Sequence, residues 1–291
     1  MPGNAMAHVA VNTMFGAFMS LKKKSEEELA KQVESRLQRP ETPSFLPKGV
    51  VARCEETPNG NLFYLNEDGS GPIVIHVHGG AYYADFFTLH WDFLMNLVER
   101  TGATVIAPGI RLIPYGTYKE AFDLILPVYE ECAKQERKLV LMGDSSGGGI
   151  VAALALQLKE KGLRLPDELI LLSPWLDASL ENPDISAFEE KDSVLPVEPL
   201  RVFGKYWAGD LDVHDPKISP IYGDYHSLDH VTVFVGTNEI VNPDAVKFFE
   251  GLDDSEYNEL IVGQDMNHVY PMLPIPEAEA AQEKIFEIVL R

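Results

Sequence analysis

The stretch from Lys138 to Leu158, KLVLMGDSSGGGIVAALALQL, joins two apolar runs through an acid, two serines and four glycines. KLVLM predicts a buried strand, and Gly149 to Lys161 predicts a helix that packs on the sheet. Between them, Gly143 to Gly147 fits the pattern G-x-S-x-G, in which a sharp strand-to-helix turn exposes a serine hydroxyl. The pattern favours Ser145 as a nucleophile over a coincidental small-residue crossover. A phosphate-binding loop is disfavoured, because the run lacks the Gly-Lys-Ser/Thr ending and the G-x-G-x-x-G spacing.

Apolar strands and helices alternate on both sides of this stretch, which predicts an α/β fold with a mostly parallel sheet and helices on both faces. The predicted strands are LFYL, IVIHV, TVIAP, KLVLM, LILLS, VTVFVG and NELIV. The other predicted helices are His90 to Arg100, Tyr118 to Ala133, Asp244 to Gly251 and Glu277 to Leu290. The length of 291 residues suits one large α/β domain with an elaboration.

The alternation lapses between Pro174 and His230, where Pro, Asp and aromatic residues predominate without a clear strand. We therefore expect a core of residues 48–174 and 231–291, and a cap of residues 1–47 and 175–230. Ser25 and Glu28 form a capping box that begins a helix to about Leu37, and residues 39–48 read as a connector. The apolar stretch at residues 8–21 predicts another helix and not a signal peptide, because its lysines follow the apolar run.

The composition limits the classes of binding partner and the cellular compartment that we expect for this protein. The formal charge of −21 disfavours nucleic acid and anionic membranes, and no window approaches the roughly 20 apolar residues of a membrane span. Two cysteines, Cys54 and Cys132, make a disulfide framework unexpected and favour the cytoplasm. The sequence does not decide whether the chain forms a homo-oligomer.

A serine nucleophile needs a base and an acid, which in this fold follow the serine in the order acid, then histidine. His268, in GQDMNHVYP, lies after the last predicted strand and is the candidate base. Glu239, in GTNEIVNPD, follows the preceding strand and is the preferred acid. Asp244 is the alternative acid, although a role at the start of the next helix suits it better.

The reaction also needs donors for a developing oxyanion, and the glycines of IVIHVHGGAYY provide them directly after a strand. Gly79 and Gly80 leave their backbone N–H groups unshielded, and the Ser146 amide adds a third donor. A plain turn at the two glycines is the alternative interpretation. Six aromatic residues are candidates for the substrate pocket, with ordinary core packing an equal alternative for each: Tyr82, Tyr83, Phe86, Phe87, Trp207 and Tyr222.

Taken together, these residues resemble the hormone-sensitive-lipase-like branch of the α/β-hydrolases, and specifically its bacterial carboxylesterases. The resemblance runs from about Ile73 to Ala280 and is carried by HGGAYY, IRLIP, GDSSGG, SPWLDAS, SPIYGD, VGTNEIVNPDA and MNHVYP. It implies Ser145, Glu239 and His268 as the catalytic triad, a supporting role for Asp144 and a helical cap. The chain departs from the family in having Ser146 where many members have Ala, Glu239 in place of Asp, and Asp265 where a glycine is common.

The resemblance further implies hydrolysis of a small-molecule ester with short-to-medium acyl chains, through an acyl-enzyme and without a metal or organic cofactor. One alternative is a deacetylase of acetylated sugars or small metabolites. A non-catalytic small-ligand receptor on the same fold is disfavoured, because His268 is retained.

Overall fold

The centre of the fold is an eight-stranded sheet. The structure is a computed structural model that describes residues 16, 18, 20–35 and 53–291. Its strands stand in the order β1-β2-β4-β3-β5-β6-β7-β8. Their bounds are β1 Arg53–Thr57, β2 Gly60–Leu65, β3 Ile73–Val77, β4 Thr104–Ile110, β5 Leu139–Asp144, β6 Glu168–Leu172, β7 Val231–Gly236 and β8 Glu259–Gly263. Strands β3 to β7 are buried along their whole length, which explains why they read as continuous apolar runs without a polar face.

Seven α-helices surround the sheet in the part of the chain that the structure describes. They are α1 Glu26–Glu34, α2 Thr88–Thr101, α3 Tyr118–Ala133, α4 Ser145–Glu160, α5 Val197–Ala208, α6 Asn242–Glu250 and α7 Pro276–Leu290. Short 3-10 turns cover Ser20–Lys23, Pro183–Ala187, Pro220–Tyr222 and Tyr270–Met272.

The direction of the crossovers assigns the helices to the two faces of the sheet. Strands β3 to β8 pair in parallel, while β2 is antiparallel to both β1 and β4. Because right-handed crossovers to opposite sides of β3 lie on opposite faces, α2 covers one face and α3, α4 and α6 cover the other. The contacts between α2 and α7 and between α3 and α4 agree with this arrangement. The predicted α/β fold is confirmed.

The strand order also locates the place where a site is expected. From β3 the chain goes first to β4 on one side and then to β5 on the other, so the order reverses between β3 and β5. Val77 and Gly143 are paired across these two strands, and the loops that follow them leave at the same edge. In open parallel sheets ligands bind at such a reversal, outside the carboxyl ends of the strands.

The structure corrects one predicted boundary and adds two elements. Helix α4 begins at Ser145 and not at Gly149. Its first turn includes Ser146, Gly147 and Gly148. The segment between Pro174 and His230 contains helix α5, which no local sequence pattern predicted, although the resemblance implied a helical cap. Its sequence includes a proline and a glycine, but the proline lies in the first turn, where no intrahelical N–H bond is lost. The short, exposed edge strand β1 was also not predicted.

The N-terminal helix α1 packs against α5 of the insertion. The predicted capping box is present, since Ser25 accepts from the Glu28 amide while the Glu28 carboxylate accepts from the Ser25 amide. Leu29 and Val33 of α1 are buried, and Lys205 of α5 forms an ion pair with Glu26 at 2.7 Å.

Parts of the predicted N-terminal region lie outside the described residues, namely the connector at 39–48, the end of the helix near Leu37 and most of the apolar stretch at 8–21. The division of the chain into core and cap stays a prediction. None of the helices within residues 16, 18, 20–35 and 53–291 has the length and apolar character needed to cross a membrane.

Candidate active site

Ser145 lies at the apex of the turn between β5 and α4. Its φ of +52° falls in the left-handed region, which costs a non-glycine residue roughly 1–3 kcal/mol. A Cβ on Gly143 would lie 2.5 Å from the carbonyl oxygen of Gly147, and one on Gly147 would lie 2.1 Å from that of Val77. Neither position has room for a side chain, so the two glycines allow the sharp turn that holds the Ser145 hydroxyl at this edge of the sheet.

His268 lies between Ser145 and Glu239. Its Nε2 is 2.8 Å from Ser145 Oγ, and its Nδ1 is 2.6 Å from Glu239 Oε2. The histidine is 1% exposed and the glutamate 0%, so bulk water is excluded from both. A carboxylate that accepts from Nδ1–H leaves the lone pair of Nε2 directed at the serine hydroxyl. The three side chains come from the loops after β8, β5 and β7, which all end at the same edge of the sheet.

Ser173, which the sequence analysis did not single out, holds the acid and the histidine loop together. Its hydroxyl donates to Glu239 Oε1 at 2.9 Å and accepts from the Val269 amide at 3.0 Å. The Gly236 amide donates to the same carboxylate oxygen. Ser173 is fully buried and directly follows β6. A polar residue at the carboxyl end of a strand between two site strands was the signal that could have identified it.

The alternative acid, Asp244, occupies a different place. It lies in the first turn of α6, and its Oδ1 accepts from Asn182 Nδ2 at 2.8 Å. Its carboxylate faces a cleft that Asp177 and Tyr222 also line. Burial raises the pKa of Asp244 to about 6, against the hydrogen bond from Asn182. The structure therefore brings Glu239, and not Asp244, against His268.

The two glycines after β3 lie against the serine turn. A Cβ on Gly79 would lie 2.3 Å from Asp144 Oδ2 and 2.8 Å from Ser145 Cβ. Gly80 has a φ of +132°, and a Cβ there would lie 2.5 Å from the carbonyl oxygen of Ala84. A side chain at Gly79 would push the loop away from the serine turn, and one at Gly80 would be strained and would clash within its own loop, so glycine is required at both positions.

Ser146, the third predicted oxyanion donor, is the second residue of α4 and is 1% exposed. Backbone N–H groups in the first turn of a helix have no partner within the helix, so they are available to an oxygen at the helix N-terminus. Gly79 and Gly80 line the same cavity as Ser145. Ser146 directly follows Ser145 in the chain, and the role of the three amides as oxyanion donors stays a prediction.

Asp144, which directly precedes Ser145, is a buried carboxylate that lies between two histidines. His76 Nε2 lies 3.2 Å from Asp144 Oδ1, and His90 Nε2 lies 3.2 Å from Asp144 Oδ2. His90 Nδ1 accepts from the Phe87 amide at 2.9 Å, so its proton is on Nε2 and is donated to the carboxylate. Burial raises the pKa of Asp144, but the electrostatic interactions with His90 and His76 outweigh this and leave the pKa below its ordinary value.

His78 lies in the loop after β3 that contains Gly79 and Gly80, and its side chain is buried. Burial lowers its pKa to about 3, so the ring is neutral at physiological pH. Its Nδ1 lies 2.7 Å from the carbonyl oxygen of Gly79, and this distance places the ring proton on Nδ1. The bond fixes the carbonyl of Gly79 and with it the orientation of the peptide that links Gly79 to Gly80.

The hydroxyl faces a small cavity with a mostly apolar wall. Its lining comes from the loops after β3, β5 and β8, from the start of α2, from the insertion and from the N-terminal segment. The lining residues are Phe18, Gly79, Gly80, Ala81, Phe87, Leu89, His90, Asp144, Ser145, Leu195, His268, Val269 and Met272. Such a wall suits an uncharged organic group of modest size.

Of the six aromatic residues predicted for a substrate pocket, Phe87 lines this cavity. Tyr82 and Trp207 instead stack on each other in the core, with ring centroids 4.2 Å apart and both side chains buried. Phe86 is buried too and stacks on Trp91 at 4.5 Å. Core packing, the alternative given for each of these residues, describes Tyr82, Phe86 and Trp207.

The remaining two predicted pocket residues lie farther out. Tyr83 stacks on Phe203 with centroids 4.8 Å apart, and its hydroxyl accepts from Gln32 Nε2 at 3.0 Å. Tyr222 is 43% exposed, and its hydroxyl donates to Asp177 Oδ2 at 3.1 Å. It lines the outer cleft that contains Asp244.

Asp265, where the family commonly has glycine, has a φ of +59°. Its side chain is exposed and accepts from Gln264 Nε2 at 3.2 Å, while its amide donates to Thr237 Oγ1 at 2.8 Å. The backbone of Asp265 therefore connects the loop of His268 to the loop of Glu239. Within the described ranges, no group of three or more His, Cys, Asp or Glu side chains is arranged to hold a metal ion.

Comparisons with known proteins agree with the fold. A family model described as alpha/beta hydrolase fold matches residues 74–272. An esterase of Acinetobacter venetianus is 32% identical over 222 residues, covering 74% of this chain and 73% of that protein. Human hormone-sensitive lipase is 27% identical over 143 residues, which are 47% of this chain and 13% of that protein.

Solved structures match over nearly the whole chain. The crystal structure of a Staphylococcus aureus protein has a TM-score of 0.83 and 26% identity, covering 96% of this chain and 97% of that one. An esterase of the bacterial hormone-sensitive lipase family gives a TM-score of 0.76 at 21% identity with the same coverage, a likeness of fold.

The fold and the residues around Ser145 define a carboxylic ester hydrolase. More particularly, the chain belongs to the alpha/beta hydrolase fold family, in its hormone-sensitive-lipase-like branch.

Proposed function

We propose that the protein is a serine carboxylesterase that hydrolyses short-to-medium acyl esters through an acyl-enzyme. The observation that carries this proposal is the position of His268, whose two ring nitrogens lie 2.8 Å from Ser145 Oγ and 2.6 Å from Glu239 Oε2. A hydroxyl, an imidazole and a carboxylate in this order make a weak nucleophile reactive without a pre-formed alkoxide.

In the first half of the reaction, Ser145 Oγ forms a bond to the ester carbonyl carbon while its proton moves to His268 Nε2. The carbonyl oxygen becomes negative and accepts from the amides of Gly79, Gly80 and Ser146. The bond from the carbonyl carbon to the alkoxy oxygen then breaks, and the leaving alcohol takes the proton from His268. Glu239 stabilises the imidazolium that forms between these two steps.

In the second half, water attacks the acyl carbon and gives a proton to His268 Nε2. The bond to Ser145 Oγ breaks, Oγ regains the proton and the carboxylic acid leaves. The same oxyanion donors act in both halves, because the carbonyl oxygen occupies the same position each time.

The cavity supports the choice of acyl length. Its free space is small, and its wall includes Ala81, Leu89, Leu195 and Met272. A confined apolar space favours an acyl group of a few carbons over a long chain, which would have to extend beyond the space. The formal charge of −21 favours neutral esters over polyanionic substrates.

The adjacent serines give a matched test with p-nitrophenyl butyrate as substrate. Ser145→Ala should lower kcat/KM by roughly 10⁴- to 10⁶-fold, because the nucleophile is lost. Ser146→Ala should stay within a few-fold of wild type, because only the backbone N–H of that residue is used. Turnover by Ser145→Ala at the wild-type rate would refute the proposal.

Two further measurements define the intermediate and the substrate. Mass spectrometry of a quenched reaction should find one acyl group on the peptide that contains Ser145, and none after Ser145→Ala. A series of p-nitrophenyl esters from acetate to palmitate should give the highest kcat/KM at short or medium length. Release of acetate from acetylated sugars, measured by titration of the acid, tests the deacetylase alternative.

A further inference from the structure

Asp192 is a buried carboxylate in the insertion, between the 3-10 turn at Pro183–Ala187 and helix α5, and it is 2% exposed. Its two oxygens accept from three main-chain amides. Oδ1 accepts from the Val194 amide at 2.7 Å and from the Leu195 amide at 2.8 Å, and Oδ2 accepts from the Ile240 amide at 2.9 Å. Hydrogen bonds to an ionised acceptor are about twice as strong as neutral ones, so this carboxylate joins two separate loops firmly.

Each of these loops carries a component of the proposed site. Ile240 directly follows Glu239, whose carboxylate lies against His268. Leu195 lines the cavity beside Ser145. The carboxylate of Asp192 therefore fixes the main chain next to the acid relative to the wall that an acyl or alkoxy group would contact.

The N-terminal segment reaches the same residue from a third direction. Lys22 Nζ donates to the carbonyl oxygen of Asp192 at 3.0 Å. Phe18, in the same segment as Lys22, lines the cavity together with Leu195. Two parts of the cavity wall and the acid loop thus meet at Asp192.

Burial and the neighbouring amides act on the pKa of Asp192 in opposite directions. Burial raises the pKa of Asp192, while the Leu195 amide, the charge of His268 and the amides of Ile240 and Val194 act to lower it.

We propose that Asp192 is a positioning residue for the ester hydrolysis, which holds the Glu239 loop in register with the Leu195 wall of the cavity. The inference rests on the proposed roles of Glu239 and His268. Asp192 does not touch the reacting atoms. It acts through the Ile240 amide, because displacement of this part of the main chain moves the Glu239 carboxylate away from His268 Nδ1.

The first variant is Asp192→Asn. The side-chain amide of Asn has one acceptor oxygen, so it cannot satisfy both the Val194–Leu195 turn and the Ile240 amide. We expect kcat for p-nitrophenyl acetate to fall about 10²-fold, because small misplacements of catalytic groups have effects of this size. Glu190→Gln, an exposed change in the same loop, is the control and should keep wild-type kcat.

A double-mutant cycle with Glu239→Gln separates positioning from general loosening of the fold. If Asp192 acts through Glu239, Asp192→Asn should reduce kcat by less than about threefold when Glu239→Gln is already present. An equal loss in both backgrounds, or a wild-type kcat for the single variant, would overturn the inference. If Glu239→Gln alone left kcat unchanged, the proposed triad would fail first and this inference with it.

Asp192→Ser keeps the test decisive if the first variant folds poorly. A serine hydroxyl can still accept from the Leu195 amide in the same turn, but it is too short to reach Ile240. We expect the variant to fold, with kcat lowered as in Asp192→Asn and with the same dependence on Glu239. A folded Asp192→Ser variant with unchanged kcat would contradict the proposed coupling.

Discussion

Glu239 Oε2 lies 2.6 Å from His268 Nδ1, with both side chains fully enclosed. The other oxygen of this carboxylate accepts from Ser173 and from the Gly236 amide, so the glutamate has little freedom to turn away. This geometry distinguishes the two candidate acids and leads to a direct comparison.

Glu239→Gln should lower kcat/KM for p-nitrophenyl butyrate by about 10³- to 10⁴-fold, because a neutral amide neither selects the productive imidazole tautomer nor stabilises the imidazolium. Asp244→Asn should stay within a few-fold of wild type, because Asp244 lies in the first turn of α6 and faces another cleft. Steady-state kinetics on the two purified variants tests this. The assignment would be wrong if Asp244→Asn were the crippled variant.

Asp244 should instead influence stability, and in a pH-dependent way. Burial raises its pKa from an ordinary 3.8 to about 6 in the folded protein, so the native state binds the proton more tightly than the unfolded chain does. Stability therefore falls as the pH rises from about 4 to 6 and stays lower above that range. The free energy of unfolding in urea should be about 1–3 kcal/mol higher for Asp244→Asn than for wild type at pH 8.

The stabilisation should vanish at pH 4, where the carboxyl of the native protein is protonated and resembles the amide. Glu250→Gln, in the same cleft but exposed, serves as the control and should have little effect at either pH. Parallel stability curves for wild type and Asp244→Asn between pH 4 and 8 would rule out the buried acid as their cause.

His90→Phe tests the buried support of the serine turn. Phenylalanine keeps the ring but removes the donor to Asp144 Oδ2 and the acceptor for the Phe87 amide. Leaving a buried carboxylate and a main-chain amide short of partners should lower the free energy of unfolding by about 2–4 kcal/mol.

The control for this change is His226→Phe, since His226 is exposed and pairs with Asp253 at the surface. Surface pairs are worth about 0–1 kcal/mol, so this variant should unfold near the wild-type urea concentration. Equal midpoints for His90→Phe and wild type would mean that the histidine contributes nothing to the turn.

Gly79→Ala should strongly lower activity because the added methyl group clashes with the serine turn, although no charge is changed. The added Cβ would lie 2.3 Å from Asp144 Oδ2 and 2.8 Å from Ser145 Cβ, so the loop after β3 has to move away from the serine. We expect kcat/KM to fall by at least about 10²-fold, as displaced catalytic groups typically cause. Gly16→Ala, where a Cβ would meet no atom within 4 Å, should keep full activity.

The sequence indicated the sheet and the serine turn well, because local rules govern both. Strands buried on both faces read as continuous apolar runs, and the turn at Ser145 has no room for side chains at Gly143 and Gly147. The helix Tyr118–Ala133 and the strand VTVFVG were placed with the bounds that the structure has.

The cavity wall was less predictable, because it depends on which distant segments meet. Tyr82 was a reasonable pocket residue from its position after the glycines, but it stacks on Trp207 of α5. Leu195 and Phe18 do line the cavity, yet nothing local distinguishes them from other apolar residues. No sequence pattern identified Asp192, because its hydrogen-bond partners are main-chain amides, which nearly every residue possesses.

The pairing of α1 with α5 has a consequence for synthesis in the cell. Glu26 and Lys205, which join the two helices, are 179 residues apart in the chain. At about 5–20 residues per second, the ribosome needs roughly 10–40 s to make the partner of a helix that it has already released. During that interval Leu29 and Val33, buried in the finished protein, have no α5 to cover them. The nascent chain therefore presents an uncovered amphipathic helix, which chaperones are suited to shield.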